Sequence, residues 1–472
     1  MAETAFTLLT PANNSGVLGL ARATFDGATL RVDVVASGLT PGQTHPFHLH
    51  GFLDDRPERP AIFADDADGD GFVETAEGES NAYGPVIAGL TASGDAAFGL
   101  EVSPDFPVAA ADGTLRFTQT YALDPAVADD AQILERLTAR FEGRFLQFHG
   151  LDVPPGAGAG TPGEVNGTGG YIPGLPVAAG PLFGADAAGI EAGTAEWLAA
   201  DSATFLDRGA AALSLLAPYS LNYEGTGPVA QERPGAATPP TDTYAALLAP
   251  SNGSGALGAA LVTLNRDETS VTVEMFMTGL TPGEEHASHI HGFPSDVPSL
   301  LPNFRLDLDR DGFVEDGEGS AVVGPVIFGL TRDGSITNAP STADFPVADD
   351  AGNFSLRQTY DFDTPDPVER TLFGELEDRL TGREVQVHGL FVPATEGEGT
   401  AFEVNGEAGY KPNLPVANGI LLPVTDAELA EDLLAFGRSL ERLLTGEPAP
   451  ADGGEAAEHE PANHEGTEHW FL

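Results

Sequence analysis

GLTPGQTHPFHLHGF at residues 38–52 returns as GLTPGEEHASHIHGF at residues 279–293, and this recurrence decides how the whole chain is read. Each stretch carries one histidine and then a His-x-His pair: His45, His48 and His50 in the first, His286, His289 and His291 in the second. Outward from there the same shift holds. PANNSGVLG (11–19) returns as PSNGSGALG (250–258), and DADGDGFVETAEGE (66–79) as DLDRDGFVEDGEGS (307–320). GRFLQFHGLDVP (143–154) returns as GREVQVHGLFVP (382–393), and GEVNGTGGYIPGLPVAAG (163–180) as FEVNGEAGYKPNLPVANG (402–419). The offset stays between 239 (11 to 250) and 241 (38 to 279), so the chain is a tandem duplication.

Repeat one spans 1–183 and repeat two 242–423. Within each, runs such as TLRVDVVASGL and SVTVEMFMTGL alternate apolar and polar residues, the period of a half-buried strand. With Gly 58 and Pro 37 supplying turns, the expected class is mostly β: two tandem Greek-key β-sandwiches, each followed by a helix. Helical spacing of apolar residues marks 190–216, inside a helix-and-linker segment 184–241, and 426–444, inside a helical segment 424–446. These helices are expected to pack on the sandwiches or on each other, leaving room for a pseudo-dimer of the two repeats. A short helix is expected before the last histidine strand of each copy, at 131–141 and 368–380. Residues 225–242 read as an extended linker, and the acidic tail 447–472 as disordered.

Asp+Glu number 72 against 21 Lys+Arg, a formal net charge of -51. Such a surface repels nucleic acid and anionic membranes and attracts metal ions, the expected partners. No apolar run reaches the roughly 18 residues of a membrane span. With Cys 0, disulfides, thiolate metal sites and cysteine nucleophiles are excluded. The opening MAETAFTLLTPANNSG has neither the basic nor the apolar region of a Sec-type signal.

Of 11 histidines, three (His459, His464, His469) lie in the tail and the other eight fall at four equivalent positions per repeat. His-x-His on a strand sets two imidazoles on one face, about 7 Å apart. Two nitrogens can then reach one ion at about 2.0–2.1 Å each. His149 or His388, from another strand, would complete a set of three nitrogens per repeat. Neutral imidazole suits copper or zinc, copper standing higher in the affinity series. Ordinary core histidines are the competing explanation, disfavoured by the duplication of the whole set.

These segments resemble copper/zinc superoxide dismutases. GLTPGQTHPFHLHGF is similar to that family's copper-site segment, and GRFLQFH and GREVQVH are similar to the strand that supplies its last copper histidine. The chordin-type (CHRD) domain shares the same two features. The resemblance implies a superoxide-dismutase-like sandwich with His48, His50 and His149, and His289, His291 and His388, as copper-type ligands. It implies that His45 and His286 buttress a ligand strand. No histidine lies between His50 and His149 or between His291 and His388, so the family's bridging histidine and zinc subsite are missing. Pro176 and Pro415 stand near the place of its late active-site arginine. Two functions stay open: a copper oxidoreductase with weak dismutase-like activity, and a non-catalytic secreted module stabilised by calcium.

Between the histidine segments each copy carries D-x-D-x-D-G. Asp66, Asp68 and Asp70, and Asp307, Asp309 and Asp311, occupy positions 1, 3 and 5 of a twelve-residue loop, with glycine at position 6. Phe72 and Phe313 offer the carbonyl at position 7, and Glu77 and Glu318 the acid at position 12. This is an EF-hand-like calcium loop set in a β-domain, without clear flanking helices. Its expected role is structural. Calcium loops, a C-terminal EHWFL and no Sec-type signal resemble substrates of bacterial type I secretion, so an extracellular or periplasmic location is expected.

Overall fold

A computed structural model describes residues 2–54, 56–185, 187, 189–221, 242–294, 297–338, 344–394, 396–424, 435–439 and 442–443. Nearly all of the linker, most of the C-terminal helical segment and the acidic tail with His459, His464 and His469 lie outside the described residues.

In repeat one, β1 (Glu3–Pro11), β2 (Leu18–Phe25) and β3 (Thr29–Ser37) form a meander. There follow β4 (Phe47–His50), β5 (Val86–Leu90), β6 (Ala96–Ala97), β7 (Leu115–Ala122), β8 (Phe145–Val153), β9 (Gly170–Pro181) and β10 (Phe183–Gly184). Repeat two has β11 (Thr243–Pro250), β12 (Leu257–Asn265), β13 (Ser270–Thr278), β14 (Ser288–His291), β15 (Val326–Gly329) and β16 (Phe354–Asp361). It closes with β17 (Glu384–Val392), β18 (Gly409–Ile420) and β19 (Leu422–Pro423).

The strand orders are β6-β5-β4-β8-β9-β1-β2-β3-β7 and β15-β14-β17-β18-β11-β12-β13-β16, all antiparallel. Non-consecutive strands meet at β3–β7, β4–β8 and β9–β1, because the chain crosses repeatedly between the two faces in Greek-key fashion. β1 turns the corner. Up to Leu9 it pairs with β2, whereas Thr10 and Pro11 pair with Ala179 and Ala178 of β9. Each repeat thus curls one sheet into a sandwich closed on its own core, built in repeat one from Leu9, Val32, Val34, Phe47, Leu49 and Phe148. The Phe47 and Phe148 rings stack at 4.2 Å in its centre.

Six α-helices lie wholly within the described residues: α1 (Thr75–Asn81), α2 (Ala128–Ala139), α3 (Ala192–Ala199), α4 (Ser202–Leu216), α5 (Asp316–Val323) and α6 (Pro367–Arg379). Helices α2 and α6 lie before the last histidine strands, as expected. The run 190–216 is two helices, broken where the Asp201 carboxylate accepts from the Thr204 amide and starts α4. Arg22 of β2 fixes the end of α3, donating 2.6 Å hydrogen bonds to the Leu198 and Ala200 carbonyls. Its guanidinium also pairs at 2.7 Å with buried Asp33.

Repeat two's β13 alternates buried and half-buried residues, as a strand with one open face should. In repeat one the outer face is also covered. Trp197, Leu198, Phe205 and Leu213 of α3 and α4 bury Phe6, Leu8, Leu20 and Val35. Residues 435–439 are helical and join this layer, Phe436 meeting Phe6 and Trp197 at ring distances of 5.7 Å. Arg438 and Arg442 both pair with Glu191. The helices after both repeats therefore meet on repeat one.

The repeats also touch each other reciprocally. The Phe63 amide donates to the Gly253 carbonyl (3.0 Å) and the Phe304 amide to the Asn14 carbonyl (2.9 Å). Phe63 packs on Phe313 and Phe72 on Phe304, at 5.5 and 6.1 Å. Equivalent residues exchange partners, the mark of an approximate twofold relation.

Replacing Arg22 with alanine would strip buried Asp33 of its main partner and free the end of α3. A loss of about 3–5 kcal/mol is expected from breaking such a pair. The value should fall at the lower end, since Arg31 and Thr118 still reach Asp33. Urea denaturation measures it, and an unchanged midpoint would contradict this role for Arg22.

Candidate metal centres

Alternation along β4 and β8 decides where the histidines point. Phe47 and Leu49, with Leu146 and Phe148, face the core of repeat one. His48, His50 and His149 therefore face outward together, as do His289, His291 and His388 on β14 and β17. Pairing of β8 with β9 slips at His149, where Gly150 takes φ 107°. A side chain on Gly150 would strike the Tyr171 hydroxyl and the His45 ring. The same slip occurs at His388 and Gly389.

The outward face is nonetheless dry, because the long insertions between strands fold over it. The six histidines are at most 3% exposed. Phe106 lies edge-on to His48 at 5.2 Å and Phe345 to His289 at 5.0 Å, which gives the repeated DFPVA segment its place. Ligand nitrogens of His48, His50 and His149 all lie within 4.8 Å of one another, and so do those of His289, His291 and His388.

Hydrogen bonds set the tautomers. His50 donates Nδ1–H to the Gly84 carbonyl (2.9 Å) and His149 donates Nδ1–H to Gly174 (2.5 Å). Their Nε2 lone pairs are left facing each other at 3.4 Å. In repeat two, His291 donates to Gly324 (3.0 Å) and His388 to Asn413 (2.8 Å), and both Nε2 atoms lack a partner. Neither ring nitrogen of His48 or His289 meets a hydrogen-bond partner. Two nitrogens bound tetrahedrally at about 2.0–2.1 Å would stand about 3.3–3.4 Å apart, so the spacing fits one ion between them.

Burial, reinforced by neighbouring imidazoles, pushes His50 down to about 3, His289 to about 2 and His291 to about 4. Burial, with the His149 and His50 imidazoles, carries His48 well below the ordinary value, whereas burial alone takes His149 to about 4 and lowers His388. All six are neutral near pH 7, the form that ligates. His45 and His286 stand behind the site. Each is fully buried and reaches, through Nδ1 at 2.8 Å, the main-chain carbonyl of His149 or His388.

A flanking carboxyl group escaped the sequence reading because the two copies supply it differently. In repeat one Glu79 lies 3.9 Å from His50 Nδ1, and Tyr83 packs on the same ring at 4.9 Å. At the corresponding positions repeat two has Ser320 and Val323. There Glu384, directly across from His291 in the β14–β17 register, is fully buried with both carboxyl oxygens unpartnered. Repeat one has Phe145 at that strand position.

The aspartate loops are closed by their own backbone. Asp66 accepts from the Gly69 and Gly71 amides at 2.8 Å, and Asp307 repeats this with Arg310 and Gly312. One oxygen of Asp70 accepts from the Phe72 amide while the other is buried without a partner, and Asp311 does the same. Asp68 and Asp309 each hold one buried oxygen without a partner. The three aspartates of each loop bring carboxylate oxygens within 4.8 Å of one another. Glu77 and Glu318, at position 12, are engaged by backbone. Each accepts from the amide at position 2 (Ala67, Leu308) and from that at position 9 (Glu74, Glu315).

Position 9 itself went unread from the sequence, although it is a ligand position in EF-hand loops. Glu315 has one oxygen buried without a partner and clusters with Asp309 and Glu318. Its other oxygen accepts from the Val404 amide, as Glu74 accepts from Val165, so the repeated EVN segment clasps the loop. The loop exit is also helical, contrary to the sequence reading, since α1 and α5 begin just after position 9. Thr75 of α1 donates to the same Gly174 carbonyl that holds His149, which joins the loop to the histidine site.

No protein-family model matches the chain, and no curated protein matches it. The crowded acids give a direct test of cation binding. Burial, then like charge, raises Asp66 and Asp307 to about 6, Asp70 and Asp311 to about 8 and Glu315 to about 9. A carboxyl raised in the folded state gives stability that is present below its unfolded value near 4 and lost as pH rises through the folded value. The histidines, depressed instead, lose stability only as pH falls below about 6.5, so they add no slope above about pH 7. Metal-free protein should therefore lose stability between about pH 7 and 9, and saturating calcium should flatten that decline. A flat profile in chelator, or one that calcium leaves unchanged, would contradict the loop assignment.

Proposed function

We propose that this chain is a metal-binding protein that holds one copper or zinc ion on three imidazoles, and one calcium ion in an aspartate loop, in each repeat. The observation that carries the first half is the pair of bare Nε2 atoms of His50 and His149, 3.4 Å apart in a dry site. Two buried lone pairs facing each other at 3.4 Å are unfavourable, and a soft or borderline cation resolves the conflict. The donor set is nitrogen only and holds no thiolate, which suits copper or zinc and disfavours calcium or magnesium there. For the second half, the support is the orphaned, buried carboxylate oxygens of Asp70, Asp311 and Glu315. Oxygen-only donors at this loop spacing suit calcium.

The resemblance to copper/zinc superoxide dismutases supports a redox metal on the histidines. Burial of all six ligands, at most 3% exposed, favours a held ion over one that turns over substrate. A net charge of -51 would also slow the approach of an anion such as superoxide. The non-catalytic reading therefore stands first: a metal-stabilised structural or interaction module, working outside the cytoplasm where calcium is plentiful. Dismutase activity, if present, should be weak.

Metal titration with copper(II) and with zinc(II) tests this. The wild-type chain should take up one such ion per repeat. His48→Ala should leave the repeat-two site intact and weaken the repeat-one site by more than the roughly 10–100-fold of an outer-shell change. A wild-type chain that binds neither metal, or a variant that binds as tightly as wild type, would sink the assignment. Rapid superoxide turnover by the copper-loaded protein would restore the enzyme reading.

A further inference from the structure

The repeated PANNSG and PSNGSG turns are so far without a role, and they lead to the place where the two repeats meet. Asn13 clamps its own loop: its amide donates to the Val73 carbonyl and its oxygen accepts from the Val73 amide. Asn252 holds Val314 identically, at 3.0 and 2.8 Å. The next residue reaches across. Asn14 donates to Asn252 Oδ1 and toward the Gly312 carbonyl, and accepts from the Asn252 amide at 2.6 Å. Val73 and Val314 are position 8 of the two aspartate loops, and Gly312 is position 6 of the second.

The loops themselves lie back to back. Gly71 and Gly312, both at positive φ (86° and 89°), touch through their main chains, and a methyl group on either would overlap the other's Cα. Phe72, at position 7, packs on Phe304 just before the opposite loop, and Phe313 packs on Phe63. Arg310, inside the second loop, reaches Gly156 of repeat one, in the segment that wraps the first loop. A carboxylate oxygen of Asp70 and one of Asp311 point into these loops buried and unpartnered, on residues 8% and 9% exposed.

We propose that the two aspartate loops form one coupled calcium clasp, in which binding in either repeat orders the shared contact and raises the affinity of the other. This rests on the calcium reading above. An ion at positions 1, 3 and 5 fixes the backbone of positions 6 to 8, and those are the positions that meet the other repeat. The loop that binds second then finds its contact surface already ordered and loses less freedom on binding. Coupling is reciprocal, so either loop can act first.

Calcium titration of the full chain by calorimetry tests the clasp. Wild type should bind one ion per loop with positive cooperativity. Removing the repeat-one ligands by Asp68→Ala with Asp70→Ala should leave one ion bound in repeat two, with affinity at least about 5-fold weaker than in wild type. Asn14→Gly covers the case in which that variant misfolds. Glycine is what repeat two carries at this place, Gly253 at φ 57°, so the turn is kept while the bridge to Asn252 and Gly312 is lost. It should bind an ion in each loop with reduced cooperativity. Repeat-two affinity unchanged in the double variant, or cooperativity unchanged in Asn14→Gly, would overturn the coupling and leave the loops as independent sites. No calcium bound by wild type would overturn the loop assignment as well.

Discussion

In each repeat, buried imidazole nitrogens are turned toward a common point. The Nδ1 atoms of His50 and His149 are fixed by the Gly84 and Gly174 carbonyls, so the Nε2 atoms have no choice but to face each other. Much of the surrounding structure maintains that arrangement. The slip at His149, the glycine after it and the His45 contact to the His149 carbonyl hold the late strand in position. Thr75, at the exit of the aspartate loop, shares the Gly174 carbonyl with His149, so order in the loop is passed to that imidazole.

The repeats have diverged around this constant centre. Repeat one is covered on its outer sheet by α3, α4 and the described part of the C-terminal helix, and so it buries Phe6, Leu8, Leu20 and Val35 on a face that would otherwise be wet. The carboxyl group beside the site has moved from a helix in repeat one (Glu79) to a strand in repeat two (Glu384). The six histidines and the loop aspartates have not moved.

Much of this was legible from the sequence because it is periodic or local. Alternation in RVDVV and VTVEMF gave β3 and β13, and the parity of His-x-His put His48 and His50 on one face. D-x-D-x-D-G located both loops. Helices α1 and α5 were missed because TAEGESN and DGEGSAVV have no apolar stripe, and only the acid three residues after Glu74 or Glu315 hints at a capped start. The loop spacing points to the acid at position 12, whose oxygens the backbone already engages, rather than to Glu315 at position 9. The contact of Gly71 with Gly312 is 241 residues apart in sequence (71 to 312) and has no local signature. The break before α4 turns on a single side chain, Asp201, inside an otherwise helical run.

X-ray absorption on the chain loaded with copper or zinc, after calcium saturation, looks most directly at convergence of the imidazoles. Three nitrogen neighbours per ion at about 2.0–2.1 Å, with the outer-shell scattering of imidazole rings, is the required result. A first shell of carboxylate or water oxygens, or of a single imidazole, would mean that these side chains do not meet on one ion.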